Sequence, residues 1–248
     1  MRTCSLSKTV KAVEQTFLAY KADLMHQPDQ SNNFIYLFFA LTTMLFASTV
    51  IVEFPGTVGE DLFSVVTTLM LIISLKSINT EMTWKRSVYL LAATFIALAI
   101  LSRIFKSDLY GLLLLGVLLV FFAGSFWSAA KQVLFVGDID RNKIIGSLTL
   151  YLLLGLTWAT IYLILIAFDH NAFSGIEHGN WQQMFASASY YSFVTLTTLG
   201  YGDILPENHI AEFFAYMEAI VGVFYMAIIV SSLISLRLAA IQREQRGD

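Results

Sequence analysis

Apolar and polar positions along this chain are sorted into long blocks rather than alternating residue by residue. Phe34 to Val52 carries no charge and as a helix would reach ~28 Å, close to the hydrocarbon thickness of a bilayer. Leu62 to Leu75 is a shorter apolar run ending at Lys76. Ser87 to Ser102 is closed by Arg103 and Lys106, Leu109 to Ala130 has no charge at all, and Ile144 to Phe168 is the longest block. A sixth block, Phe213 to Leu236, leads into Arg237, Arg243, Glu244 and Arg246. Each block predicts a membrane-spanning helix. The stretches between them predict an acidic turn from Glu53 to Asp61, a polar loop with Glu81, Lys85 and Arg86, a mixed-charge linker over 131–145 and a polar loop from Asp169 to Asn180. Ahead of the first block, Leu6, Val10, Val13, Phe17, Tyr20 and Leu24 recur at spacings of four and three, which predicts an amphipathic helix within the cytoplasmic segment 1–33. Its stripe suits packing on the protein's own inner face, a membrane surface or a coiled-coil seam.

Composition agrees with a membrane class. Of 248 residues, 57% are hydrophobic and 13% charged, where a soluble domain carries about a quarter charged. A net charge of −3 and the lack of a basic face exclude a nucleic-acid partner. Cys4 has no internal partner for a disulfide, and no small-residue cleavage site follows a short apolar run, so no removable signal peptide is expected. With six spans, Arg2, Lys8, Lys11 and Lys21, the second loop, the 131–145 linker and the C-terminal tail share one side. Basic residues favour the cytoplasm, so both termini are expected there, in a multi-pass protein of the plasma (inner) membrane. Arg103 and Lys106 in the third loop depart from that pattern.

The chemistry lies between the fifth and sixth blocks. Trp181 to Thr198 reads WQQMFASASYYSFVTLTT, uncharged and mostly apolar, and runs into Leu199-Gly200-Tyr201-Gly202-Asp203. Glycine reaches backbone conformations closed to other residues. Two glycines at alternate positions therefore let successive carbonyl oxygens point one way and replace the water shell of a bare cation. The Thr198 hydroxyl can join below those rows, with the Tyr201 ring outward as a spacer. Irregular backbone at membrane depth is tolerated only where protein or water surrounds it. One such segment per chain supplies part of a ring, so several copies have to enclose a shared pathway.

The threonine pair Thr197-Thr198, Gly200-Tyr201-Gly202, the following Asp203, the flanking apolar segments and Gly222 within GVFYMAIIVSSLIS together resemble the two-helix pore of tetrameric potassium channels, over residues 146–238. The resemblance implies an all-α membrane protein with four peripheral transmembrane helices over 34–130. It also implies a pore domain with a re-entrant pore helix over 181–197, a selectivity filter over 198–202, a short tail over 239–248 and a homotetramer in the lipid bilayer. K+ is then the permeating ion, held by Thr198, Leu199, Gly200, Tyr201 and Gly202. Transport is passive, with no catalysis and no cofactor. Tyr190 and Asp203 are the implied filter support, and the pore helix would aim the negative end of its dipole at the ions. Leu199 stands where Val is commoner, but only its carbonyl would face the ion. Val194 occupies a place where some relatives carry a glutamate behind the filter.

Gly222 lies where related channels place a hinge glycine, and it could instead give clearance to the pore helix. If it hinges, Ala227, Ser231 and Ser235, spaced four apart, line the inner pore. The fourth block holds no arginine, so that helix is not expected to sense voltage. Glu218 inside the sixth block reads as a structural partner of the pore helix, within reach of the outer interface, or as a gating proton site. His170, Glu177, His178 and His209 lack tight metal-ligand spacing and read as solvated loop residues. The competing functions are a weakly selective cation channel and a non-conducting regulatory subunit. Related transporters carry four degenerate filter segments per chain, against the single one here.

Overall fold

A computed structural model describes residues 33–52, 57–77, 82–105, 108–135, 141–177, 179 and 181–246. The amphipathic helix expected before residue 33 lies outside the described residues. The rest is helical apart from one pair of two-residue strands. The order is α1 (Asn33–Ile51), α2 (Thr57–Ser77), α3 (Met82–Phe105), α4 (Asp108–Phe135), α5 (Arg141–Phe168), β1 (Phe173–Ser174), α6 (Trp181–Leu196), β2 (Leu205–Pro206) and α7 (His209–Arg246).

Among the described residues, four helices are long and apolar enough to cross a membrane, over Phe34–Ile51, Leu109–Val133, Lys143–Phe168 and His209–Ile229. These coincide with the first, fourth, fifth and sixth apolar blocks. The second and third blocks form shorter apolar stretches, Leu62–Ser74 and Arg86–Ser102, within helices of 21 and 24 residues. Both helices start earlier than the sequence suggested. α2 takes in Gly59, Glu60 and Asp61 from the expected acidic turn, and α3 takes in Lys85 and Arg86. Carboxylates near the start of α2 are favourable because of the helix dipole, and Lys85 and Arg86 in α3 are good helix formers, so charge there does not stop either helix. The 131–145 linker is likewise shortened from both ends, since α4 continues to Phe135 and α5 begins at Arg141. α7 likewise continues through most of the expected 239–248 tail.

Packing follows a closed circuit. α1 packs on α2, α2 on α3, α3 on α4, and both α4 and α1 pack on α5. The core of that circuit is apolar throughout, with Leu37, Leu41, Met44, Leu71, Leu118, Phe121, Phe122 and Leu153 fully or almost fully buried. α6 sits against α5 and also touches α1 and α2, through Phe63 of α2 edge-on to Phe185 at 5.1 Å. α7 is the exception. It touches only α5, α6 and β2 among the closer pairs, and Phe213, Tyr216, Ile220, Val223, Phe224 and Met226 along it are exposed.

Candidate functional site: the loop after α6

The residues from Thr197 to Asp203 run on from α6 without regular structure. Their first two turns are fixed by the end of the helix: Thr198 N donates to Thr195 O and Leu199 N to Val194 O, both at 2.9 Å. Thr197 Oγ1 donates to Phe193 O at 2.7 Å. These bonds use carbonyls that a helix end would otherwise leave unsatisfied. Beyond that point the backbone alternates. Thr198, Gly200 and Gly202 have φ of 58°, 57° and 77°, and Thr198 is the one non-glycine with positive φ among the described residues. A β-branched residue in this region is an outlier costing roughly 1–3 kcal/mol, kept only where its surroundings over-determine it. Alternation of left-handed and ordinary residues turns successive peptide planes so that neighbouring carbonyls share a side. That is the conformation the glycine spacing calls for.

Three supports hold the loop. Tyr190, nearly two turns before the end of α6, donates its hydroxyl to Asp203 Oδ2 at 2.6 Å, and its ring stacks on Tyr201 with 6.5 Å between centroids and 7° between planes. Asp203 Oδ1 accepts from Ile204 N at 3.2 Å. The Tyr190 hydrogen bond is the largest influence holding the Asp203 carboxyl below the ordinary aspartate range. A lowered value means the ionised contact is present at neutral pH and is lost as pH falls through that lowered value. Tyr190→Phe removes the donor, so the acid inactivation of the loop should move to higher pH than in the wild type. Ion flux recorded as the Asp203 side is acidified checks this, and an unmoved midpoint would show that Tyr190 does not act through Asp203.

The second support is a strap over the loop's exit that the sequence did not reveal. β1 pairs antiparallel with β2, Phe173 opposite Pro206 and Ser174 opposite Leu205. Gly175, with φ of 80°, approaches so closely that a Cβ there would lie 2.1 Å from Asp203 O. Asn208 joins the two ends. Its Nδ2 donates to Asp169 Oδ2 at 2.8 Å, while its Oδ1 accepts from Ala211 N at 2.8 Å as the N-cap of α7. The signal for that cap, Asn followed by a helical run, was present in the sequence.

The third support is internal. Tyr162 of α5, Phe173 of β1 and Tyr191 of α6 form a cluster of edge-on rings, with centroids 5.0 to 5.3 Å apart. Beside it, Glu218 is fully buried, with Tyr162 Oη and Ser192 Oγ each 2.5 Å from one of its carboxyl oxygens. The outer interface therefore does not solvate Glu218. Packing of α5 and α6 over this part of α7 closes it off, and no local spacing in the sequence reports a partner 56 residues away.

Gly222 answers to close packing. A Cβ there would meet Leu196 O at 2.2 Å, at the last residue of α6, and α7 runs as one helix through this position. Gly155 of α5 plays the same part for Phe193, whose ring would lie 2.5 Å from a Cβ. Ala227 and Ser231 are exposed on α7, and Ser235 lies in that helix with its side chain outside the described residues. Lower down, the Tyr225 hydroxyl donates to Ser147 O, joining α7 to the start of α5. His209 pairs with Glu212 at 3.1 Å. Among the described residues no group of histidine, cysteine and carboxylate side chains could hold a metal, and His178 is outside them.

A short helix ending in a loop of alternating backbone hand, held between two apolar helices, is the layout of an ion channel domain. The ion channel family profile matches residues 150–237, and the chain belongs to that family. It is similar to protein LctB of Geobacillus stearothermophilus, with 33% identity over 110 residues, covering 43% of this chain and 80% of that protein. No solved structure matches it.

Proposed function

We propose that four copies of this chain form a potassium-selective channel that carries K+ passively across the plasma (inner) membrane, with both termini cytoplasmic. The observation that carries this reading is the alternating backbone at Thr198, Gly200 and Gly202, which suits stacked carbonyl oxygens replacing the water around a dehydrated cation. In this reading Leu199, Tyr201 and Thr198 contribute carbonyls as well, α6 is the pore helix, and Tyr190 and Asp203 brace the filter. Two further observations support assembly. The loop from Thr197 to Asp203 is exposed in a single chain, and the apolar face of α7 from Phe213 to Met226 has no cover. Backbone without regular hydrogen bonds is tolerated at membrane depth only inside protein or against water, and neighbouring copies around a shared axis provide both.

The test is ion flux through purified protein in liposomes. The reversal potential should follow the K+ gradient, and a sodium permeability comparable to that of potassium would replace this reading with a weakly selective cation channel. Absence of flux would favour a regulatory subunit. Voltage is a second readout. Leu109 to Ala130 of α4 holds no charged residue, and moving one charge across the field is worth ~2.3 kcal/mol per 100 mV. Open probability should therefore stay nearly flat with voltage, and a steep activation curve would place gating charge elsewhere, with Arg103 and Lys106 as candidates.

A further inference from the structure

Glu218 is the one fully buried carboxylate among the described residues, and the hydrogens around it can be counted. Its Oε2 lies 2.5 Å from the Tyr162 hydroxyl of α5. Its Oε1 lies 2.5 Å from Ser192 Oγ of α6, and the same Ser192 Oγ lies 2.7 Å from the carbonyl oxygen of Gly155 on α5. A serine hydroxyl has one hydrogen to give. Both Gly155 O and an ionised Oε1 are acceptors only, so an ionised Glu218 would leave one of these two short oxygen pairs without a hydrogen between them. A carboxylic acid leaves none empty: Tyr162 donates to Oε2, Oε1–H donates to Ser192 Oγ, and Ser192 donates to Gly155 O.

We propose that Glu218 is a neutral carboxylic acid that acts as a positioning residue for the filter, its proton being the link that joins α7, α6 and α5. This rests on the channel reading for its consequence, though not for the protonation state. The titratable groups facing Glu218 are Tyr162 and Tyr151 from α5 and Tyr191 from α6. No lysine, arginine or histidine pairs with it among the described residues. An unpaired buried charge is far costlier than a hydrogen-bonded neutral group, so burial and hydrogen count point the same way. The position explains why the link matters. Ser192 is a turn before the end of α6, where Val194 and Thr195 accept the bonds that start the filter loop. Ser192 thereby fixes how far α6 stands from α7. Loss of the proton would set two acceptors against each other at that spacing and push α6 away from α5 or α7.

Two measurements test this on the full chain in bilayers. Infrared spectra of wild type at neutral pH should contain the carbonyl band of a protonated carboxyl group that is missing in Glu218→Gln and moves in Ser192→Ala. Spectra without that band would overturn the proposal whether or not the protein conducts potassium. In flux assays, Glu218→Gln keeps the donor toward Ser192 and the acceptor toward Tyr162, so flux should stay within about twofold of wild type. Glu218→Ala should lower it about tenfold, the scale of leaving one buried donor unsatisfied. Equal loss in Glu218→Gln and Glu218→Ala would mean that the ionised form is required, and full activity in Glu218→Ala would mean that the residue positions nothing. Either result overturns the proposal. If Glu218→Ala fails to assemble, the infrared spectra and Glu218→Gln decide alone.

Discussion

Gly200→Ala should reduce potassium flux to background, while Leu199→Val should leave it close to wild type. Gly200 has a φ of 57° with nothing within 4 Å of where a Cβ would stand, so the penalty is one of backbone and not of crowding within a chain. A left-handed conformation costs an ordinary residue roughly 1–2 kcal/mol, and in the proposed four-chain filter that cost recurs at every copy. The cheapest relief is rotation of the peptide plane, which takes a carbonyl out of the row proposed to face the ion. Leu199 has an ordinary φ and would offer only its carbonyl, so a valine there changes the side chain and not the row. Liposome flux in the two variants, with assembly checked separately, gives the contrast. Retained flux in Gly200→Ala would show that the row of carbonyls is not what passes the ion.

Gly222→Ala should destabilise the folded chain by about 1–3 kcal/mol, the usual cost of forcing an extra methyl into a packed site. The obstacle is Leu196 O, 2.2 Å from the added carbon, and a backbone oxygen cannot swing away as a flexible side chain can. The end of α6 has to move, and the loop that follows moves with it. Selectivity and unitary conductance should therefore change along with stability. A hinge would behave differently: the alanine would lower open probability and leave stability and selectivity alone. Thermal unfolding in detergent beside single-channel recording separates the two, and an unchanged melting curve would return Gly222 to the hinge role.

Much of this arrangement was legible in the chain because it is written locally. Long uncharged blocks are enough for α1, α4, α5 and α7, and the Gly200-Tyr201-Gly202 spacing is enough to expect an unusual backbone there. The end of α6 also falls within a residue of the expected boundary, since Thr197 already turns back to bond Phe193. What escaped detection depends on distant residues. Two-residue strands such as β1 and β2 have no periodicity to read. The burial of Glu218 comes from Tyr162 and Ser192, on two other helices, and its own neighbours in sequence are an ordinary apolar run. The helix starts at Thr57 and Met82 are hidden because charge alone does not separate loop from helix: carboxylates such as Glu60 suit the start of a helix, and Lys85 and Arg86 are good helix formers.

The strap above the loop bears on the order in which the protein matures. Asp169 and Asn208 stand 39 residues apart in sequence and are joined by a hydrogen bond, with the β1–β2 pair fastening the same two ends. Bringing together the ends of a flexible stretch carries an entropic cost that grows only slowly, about 0.6 kcal/mol for each doubling of length. Asn208, the strap and the ring cluster of Tyr162, Phe173 and Tyr191 offset that cost from within the chain itself. A single chain can thus shape the loop after α6 alone. In the proposed assembly, joining copies then has mainly to bury the bare flank of α7.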